Sequence, residues 1–265
     1  MFTNTKNLKG LIVRATDGEL GTVDQLYFDD ETWAIRYLTI ETGTWLDGRP
    51  VLISPHSVRS VDWQSKRIDV SLSMKQVQNS PVIDTHRPVS RQHEAEYLGY
   101  YGYPNYWGGP NTWGQDIYPE GMANSTSDSP KLIAERIQRE TADSHLRSSQ
   151  SVTGYGIEAV DGEIGHVDQF IIEERAWAIR YIEVATQNWW PGKKVLMSPA
   201  WVERVSWSDQ KVYVALTRDV IQNCPEYVDT MKITREYENR LYFHYGKPPY
   251  WIADAKRDAA ALAAV

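Results

Sequence analysis

The sequence predicts a mainly β protein made of two tandem small β-barrels, each followed by a short helical and aromatic appendage. Three observations carry that expectation. The chain repeats itself, with Asp17 falling on Asp161 at an offset of 144 residues. Each copy is a run of short alternating segments separated by turn residues. The composition, 42% hydrophobic and 24% charged, is that of an ordinary globular chain able to supply two cores.

The repeat register is long. Asp17-Gly18-Glu19-Leu20-Gly21 aligns with Asp161-Gly162-Glu163-Ile164-Gly165, and Trp33-Ala34-Ile35-Arg36-Tyr37 with Trp177-Ala178-Ile179-Arg180-Tyr181. Further on, Val51-Leu52-Ile53-Ser54-Pro55 meets Val195-Leu196-Met197-Ser198-Pro199, and the stretch from Tyr101 to Trp107 meets that from Tyr245 to Trp251. The domains expected are a first copy over residues 1–107, a connection over 108–144, a second copy over 145–251 and an Ala-rich tail over 252–265. The connection is rich in Gly, Pro and Ser, which predicts an exposed linker. Apolar residues within Lys131–Ile137 fall on a helical spacing and predict a short helix there.

In the first copy, strands are expected near residues 10–15, 21–28, 33–41, 50–54, 58–63 and 67–72. Asp17-Gly18 and Asp47-Gly48 mark turns, because both residue types tolerate positive φ; Pro191-Gly192 replaces the second pair in the other copy. Ser73 and Thr217 are expected to cap a helical turn that ends before Pro81 and Pro225. Ser90 and Thr234 are expected to cap longer helices, Arg91 to Leu98 and Arg235 to Tyr242.

The Asp-Gly-Glu-(Leu/Ile)-Gly-x-Val-Asp motif, Arg-Tyr-(Leu/Ile), Val-Leu-(Ile/Met)-Ser-Pro and the closing strand at Leu72 or Leu216 together resemble the PRC-barrel family. That family is named for the cytoplasmic domain of the reaction-centre H subunit of purple bacteria. The resemblance implies a six-stranded SH3-like barrel that assembles or regulates other macromolecules and performs no chemistry. Unlike the H subunit, this sequence shows no N-terminal membrane helix.

Chemistry finds no foothold in the residues. His56, His86, His93, His145, His166 and His244 have no counterpart histidine in the other copy, and no pair has the i, i+4 spacing of a helical metal site. Cys224 is the only cysteine, which excludes an intrachain disulfide or a Cys-x-x-Cys pair. Asp17, Glu19 and Asp24, with Asp161, Glu163 and Asp168, form the best acidic set, yet three carboxylates across a turn fall short of a calcium site. No catalytic residue, cofactor or metal is therefore assigned, and the protein is expected not to be an enzyme. A net charge of −7 offers no field for phosphates, so nucleic acid is not expected as a partner.

Folding residues 23–28 onto 33–40 around a four-residue loop would place Phe28 opposite Trp33, Gln25 opposite Arg36 and Asp24 opposite Tyr37. In the second copy the same folding pairs Ile172 with Trp177, Gln169 with Arg180 and Asp168 with Tyr181. Asp24, Arg36, Tyr37, Asp168, Arg180 and Tyr181 are accordingly expected to set strand register. Eleven Trp and sixteen Tyr against four Phe favour rings that sit half-buried at edges and interfaces. Tyr101, Tyr106, Trp107, Tyr245, Tyr250 and Trp251 are expected to pack on a barrel or to hold a partner.

The function expected is that of a cytoplasmic scaffold or adaptor. Its partner would be an unnamed protein, a second copy of the chain, or a membrane complex approached peripherally, since no stretch reaches the ~18 apolar residues of a membrane span. The alternative is a small-molecule or ion sensor that binds between the two barrels.

Overall fold

A computed structural model of the chain describes residues 1–81, 91–107, 109, 111–114, 116–120, 145–186, 193–229 and 231–255. Ser90, the segment Lys131–Ile137, the Pro191-Gly192 turn and the end of the Ala-rich tail lie outside the described residues. The fold is mainly β and comprises two seven-stranded sheets. The chain divides into two compact units, the first formed by Thr5–Ser148 with Arg175–Ala178, the second by Met1–Asn4, Ser149–Glu174 and Ile179–Val265.

The first unit contains β2 (Ile12–Arg14), β3 (Glu19–Asp29), β4 (Ile35–Glu41), β5 (Val51–Ile53), β6 (Val58–Asp62), β7 (Arg67–Val70) and β8 (Leu146–Ser148). Its strand order is β5-β4-β3-β2-β7-β6, with β8 added on β3. The β2–β7 pair is parallel and the others are antiparallel. Helices α1 (Thr5–Leu8), α2 (Met74–Gln78) and α3 (Arg91–Tyr101) complete it. Strand β7 alternates half-buried and buried residues, as a one-sided strand does. Strand β4 is buried along nearly its whole length, because Tyr97 and Leu98 of α3 pack with Tyr27, Tyr37, Leu52 and Leu146 in one apolar cluster.

The second unit repeats this order with β9 (Gly156–Ala159), β10 (Gly162–Glu173), β11 (Ala178–Ala185), β12 (Lys194–Met197), β13 (Val202–Ser206) and β14 (Lys211–Val214), arranged β12-β11-β10-β9-β14-β13. Its seventh strand is β1 (Phe2–Asn4), which pairs with β10. Helices α4 (Ser149–Val152), α5 (Arg218–Gln222) and α6 (Arg235–His244) follow the pattern of the first unit. Each sheet thus takes its seventh strand from the start of the other repeat. Asn4 pairs with Ile171 and Ser148 with Tyr27, positions equivalent at the repeat offset.

Local physics accounts for the repeated motifs. A Cβ on Gly21 would lie 1.9 Å from the Glu41 carbonyl oxygen, and one on Gly165 would lie 2.1 Å from that of Ala185, so glycine lets β3 and β10 approach their neighbours. Asp17 accepts from the backbone N–H of Met74 at 2.7 Å, and Asp161 from that of Arg218 at 2.8 Å, so the first acid of the motif caps α2 or α5. Ser73 makes a full capping box with Gln76, and Thr217 accepts from Val220. In Val-Leu-x-Ser-Pro, Ser54 and Ser198 cap a 3-10 turn that begins at the proline.

Two expectations are corrected. Across β3 and β4, Gln25 faces Thr39, Tyr27 faces Tyr37 and Phe28 faces Ile35, so neither Asp24 with Tyr37 nor Gln25 with Arg36 forms a pair. The register shifts between Val23 and Gln25 and again between Tyr27 and Phe28. The hairpin loop also runs longer than four residues: Asp29 caps Glu31 and Thr32, and Trp33 turns into the left-handed region at φ 58°. The rings of Phe28 and Trp33 still stack, 5.2 Å apart. The second correction concerns the linker. Trp113 and Ile117 are buried, with Trp113 only 1% exposed, and the Trp113 indole N–H donates to the Ala176 carbonyl at 2.7 Å.

Candidate functional site

Each repeat gathers its polar groups where its appendage meets its sheet. In the first unit, β4 carries Arg36 and Tyr37, α3 carries Glu94, and the chain after α3 returns Tyr106. Glu94, 1% exposed, accepts hydrogen bonds from the hydroxyls of Tyr37, at 3.3 Å, and Tyr106. The Arg36 guanidinium lies 3.6 Å from the centre of the Tyr106 ring and 4.8 Å from that of Trp113. It donates to Thr32 Oγ1 at 2.9 Å and approaches Asp29 at 3.5 Å. The same side chain is 1% exposed, with no acceptor for Nε or Nη1 among the described residues.

The second unit rebuilds the Arg, Tyr, Glu and Tyr of this set at the repeat offset. Glu238, 1% exposed, accepts from Tyr181 at 2.7 Å and Tyr250 at 3.1 Å. Arg180 pairs with Glu173 at 2.8 Å and with Asp254 at 2.9 Å, and lies 4.1 Å from the centre of the Tyr250 ring. Burial pushes the Tyr37 and Tyr181 hydroxyls far above the usual phenol range, and the neighbouring Glu carboxylates push the same way. These tyrosines are permanent donors. Each Glu carboxylate, held between its strand tyrosine and its tail tyrosine, acts as an acceptor that ties strand, helix and tail together.

The other aromatic residues pack around this frame. Tyr101 lies 4.8 Å from Tyr97, and Trp107 meets Tyr106 edge-on at 5.1 Å. Tyr245 lies 4.4 Å from Trp201, and Trp251 meets Tyr242 edge-on at 5.2 Å beneath the Arg235 guanidinium. The expected register residues thus separate by role: Arg36, Tyr37, Arg180 and Tyr181 join the Arg, Tyr and Glu sets, whereas Asp24 takes Lys9 and Asp168 takes Lys194, each at 3.1 Å.

Glu94 and Glu238 were not singled out from the sequence, although the offset places one on the other. Trp113 was missed because it lies beyond the repeat, in a Gly- and Pro-rich stretch. Lys194 also draws in Glu183 at 2.7 Å and Asp229 at 2.8 Å. Burial raises the Glu183 carboxyl, with Lys194 and Gln169 opposing the shift. The Cys224 thiol is buried, and desolvation raises it above the ordinary thiol value. Among the described residues no group of three or more His, Cys, Asp or Glu side chains is placed to hold a metal ion, and no helix is long and apolar enough to cross a membrane.

No curated protein matches the chain. The profile of the PRC-barrel domain matches residues 4–74, which hold β2 to β7 of the first sheet. The second sheet, with the same strand order and an equivalent Arg, Tyr and Glu set, suggests a tandem partner for that domain. The strand order, the capped Asp-Gly motif and the profile match agree: the chain carries a PRC-barrel domain at residues 4–74.

Proposed function

We propose that the chain is a non-catalytic binding and assembly module, working in the cytoplasm as a scaffold or adaptor for a protein partner. The observation that carries this reading is the fate of the polar groups that sheet and appendage bring together. Glu94 and Glu238 each accept from two tyrosine hydroxyls, and Arg36 and Arg180 are covered by aromatic faces. These ionisable groups brace the fold, so the protein offers a partner its outer surface. The PRC-barrel domain at residues 4–74 supports the same reading.

The test is reconstitution. A protein that co-purifies with the full chain from its native host should re-form a complex of fixed stoichiometry when both are purified and mixed in a sedimentation-velocity experiment. Failure of every co-purifying protein to bind again, or turnover of a small molecule by the chain alone, would sink the proposal.

A further inference from the structure

Two short strands stand apart from the repeats to which they belong in sequence. Strand β1 opens the first repeat and pairs with β10, Phe2 against Glu173 and Asn4 against Ile171. Strand β8 opens the second repeat and pairs with β3, Leu146 against Asp29 and Ser148 against Tyr27. Residues 4 and 148 are equivalent at the repeat offset, and so are 27 and 171. The same device is thus used twice: a three-residue strand, followed directly by a helical turn, α1 or α4, lies along the long strand of the other repeat. A third pairing has the same symmetry, since Ala34 bridges antiparallel to Ala178, its own equivalent.

We propose that each repeat is a docking module for a second copy of its own kind, recognised by strand exchange, so that the two repeats assemble without the chain over residues 121–144. Each repeat carries both a donor strand and an acceptor edge, which is what a self-complementary pairing requires. Strand addition satisfies the backbone groups of the accepting edge, and contacts of the alternate side chains select the strand. Those contacts are specific here. Leu146 is 2% exposed in the cluster that holds Tyr27 and Tyr37, Arg147 Nε donates to Asp30 at 2.7 Å, and the Phe2 ring lies 6.0 Å from that of Tyr181.

Each compact unit is accordingly built from both repeats. Residues 145–148 and 175–178 complete the first, and residues 1–4 complete the second. A cut between 121 and 144 leaves two pieces that each hold part of both units. The intact connection adds only concentration, roughly millimolar for a flexible tether, and no contact of its own. The inference goes beyond the scaffold reading, since recognition between repeats and capture of another protein are measured separately.

The test uses the full chain with one protease site inserted between residues 121 and 144 and cleaved to completion. Sedimentation velocity at micromolar concentration should give a single species with the mass of both pieces and an unchanged far-UV circular dichroism. Mixed with the same cut protein labelled with nitrogen-15, it should yield hybrids of one light and one heavy piece in native mass spectrometry. Thr3→Pro and Arg147→Pro each remove a backbone donor from the centre of an exchanged strand. Each should weaken the cut complex about tenfold, while the tethered, uncut variants keep the wild-type spectrum. Phe2→Ala, which leaves the β1 backbone intact, should weaken it in the same direction. Pieces that separate or unfold once the chain is cut would overturn the proposal. So would a cut complex indifferent to all three substitutions.

Discussion

The hydroxyl of Tyr181 donates to the Glu238 carboxylate at 2.7 Å, joining the middle of β11 to the inner face of α6. Both groups are buried, so neither can exchange its partner for water. The first prediction follows from that asymmetry. Glu238→Ala leaves the Tyr181 and Tyr250 hydroxyls without this acceptor, and a buried donor left unpaired costs about 1–3 kcal/mol. The variant should lose roughly 2–5 kcal/mol of unfolding free energy in urea titrations. Tyr181→Phe removes one donor and keeps the other, so its loss should be the smaller one. Equal losses would show that the carboxylate does not organise the set.

The second prediction concerns pH. His56 sits in an aromatic box, 5.0 Å from Tyr103 and 4.9 Å from Trp113, with Nδ1 2.8 Å from the Pro119 carbonyl oxygen. Burial lowers its pKa from 6.5 to about 4, although the Pro119 hydrogen bond works the other way. The unfolded chain therefore binds the proton first as the solution is acidified. This contribution is fully present above pH 6.5 and is lost as pH falls towards 4, reaching about 3 kcal/mol. His56→Gln, which does not titrate, should show a shallower fall in stability across that window. A parallel fall in both proteins would remove His56 from the account.

Much of the fold was legible because it depends on local chemistry. The helix caps at Ser73 and Thr217 and the turn glycines are written in neighbouring residues, and the repeat made each observation twice. Strand register was lost because it turned on the left-handed Trp33 and the irregularity at Asp24, which no alternation pattern marks. The exchanged strands were hidden for a different reason. Phe2–Asn4 and Leu146–Ser148 are three residues long and pair with partners far away in sequence. Of the buried sets, the arginines and tyrosines stood out by repetition. Glu94 and Glu238 look in sequence like ordinary exposed helix acids, and only tertiary burial separates them from Glu96 or Glu236.

The third prediction addresses β1. Phe2 pairs with Glu173 and Thr3 with Ile172, while Met1 O accepts from Glu174 N at 3.0 Å. Phe2 also places its ring 6.0 Å from Tyr181. Deleting Met1–Asn4 should therefore lower the melting temperature. It should also speed hydrogen exchange at the backbone amides of residues 171–174 while β13 and β14 keep their protection. Unchanged exchange on β10 would show that β1 contributes nothing to that sheet.

The last prediction takes Trp113, which lies in a stretch whose composition suggests a loose connection. The ring is 1% exposed, its N–H is used by the Ala176 carbonyl, and it lies 4.9 Å from His56 and 4.8 Å from the Arg36 guanidinium. Truncating a buried Trp to Ala removes packing and leaves a cavity, at a cost of about 3–5 kcal/mol. Trp113→Ala should fall in that range, whereas substitution in a truly exposed linker would change stability by less than about 0.5 kcal/mol. Trp113→Phe separates packing from hydrogen bonding. It keeps most of the apolar volume and gives up the donor, so it should cost about 1–3 kcal/mol, the penalty of leaving the carbonyl unpaired. The alanine variant should also raise the His56 pKa, since opening the box readmits water and lessens the desolvation that holds it down. An NMR titration of the His56 ring would detect the shift. An unmoved titration together with an unchanged melting temperature would show that Trp113 does not close the box.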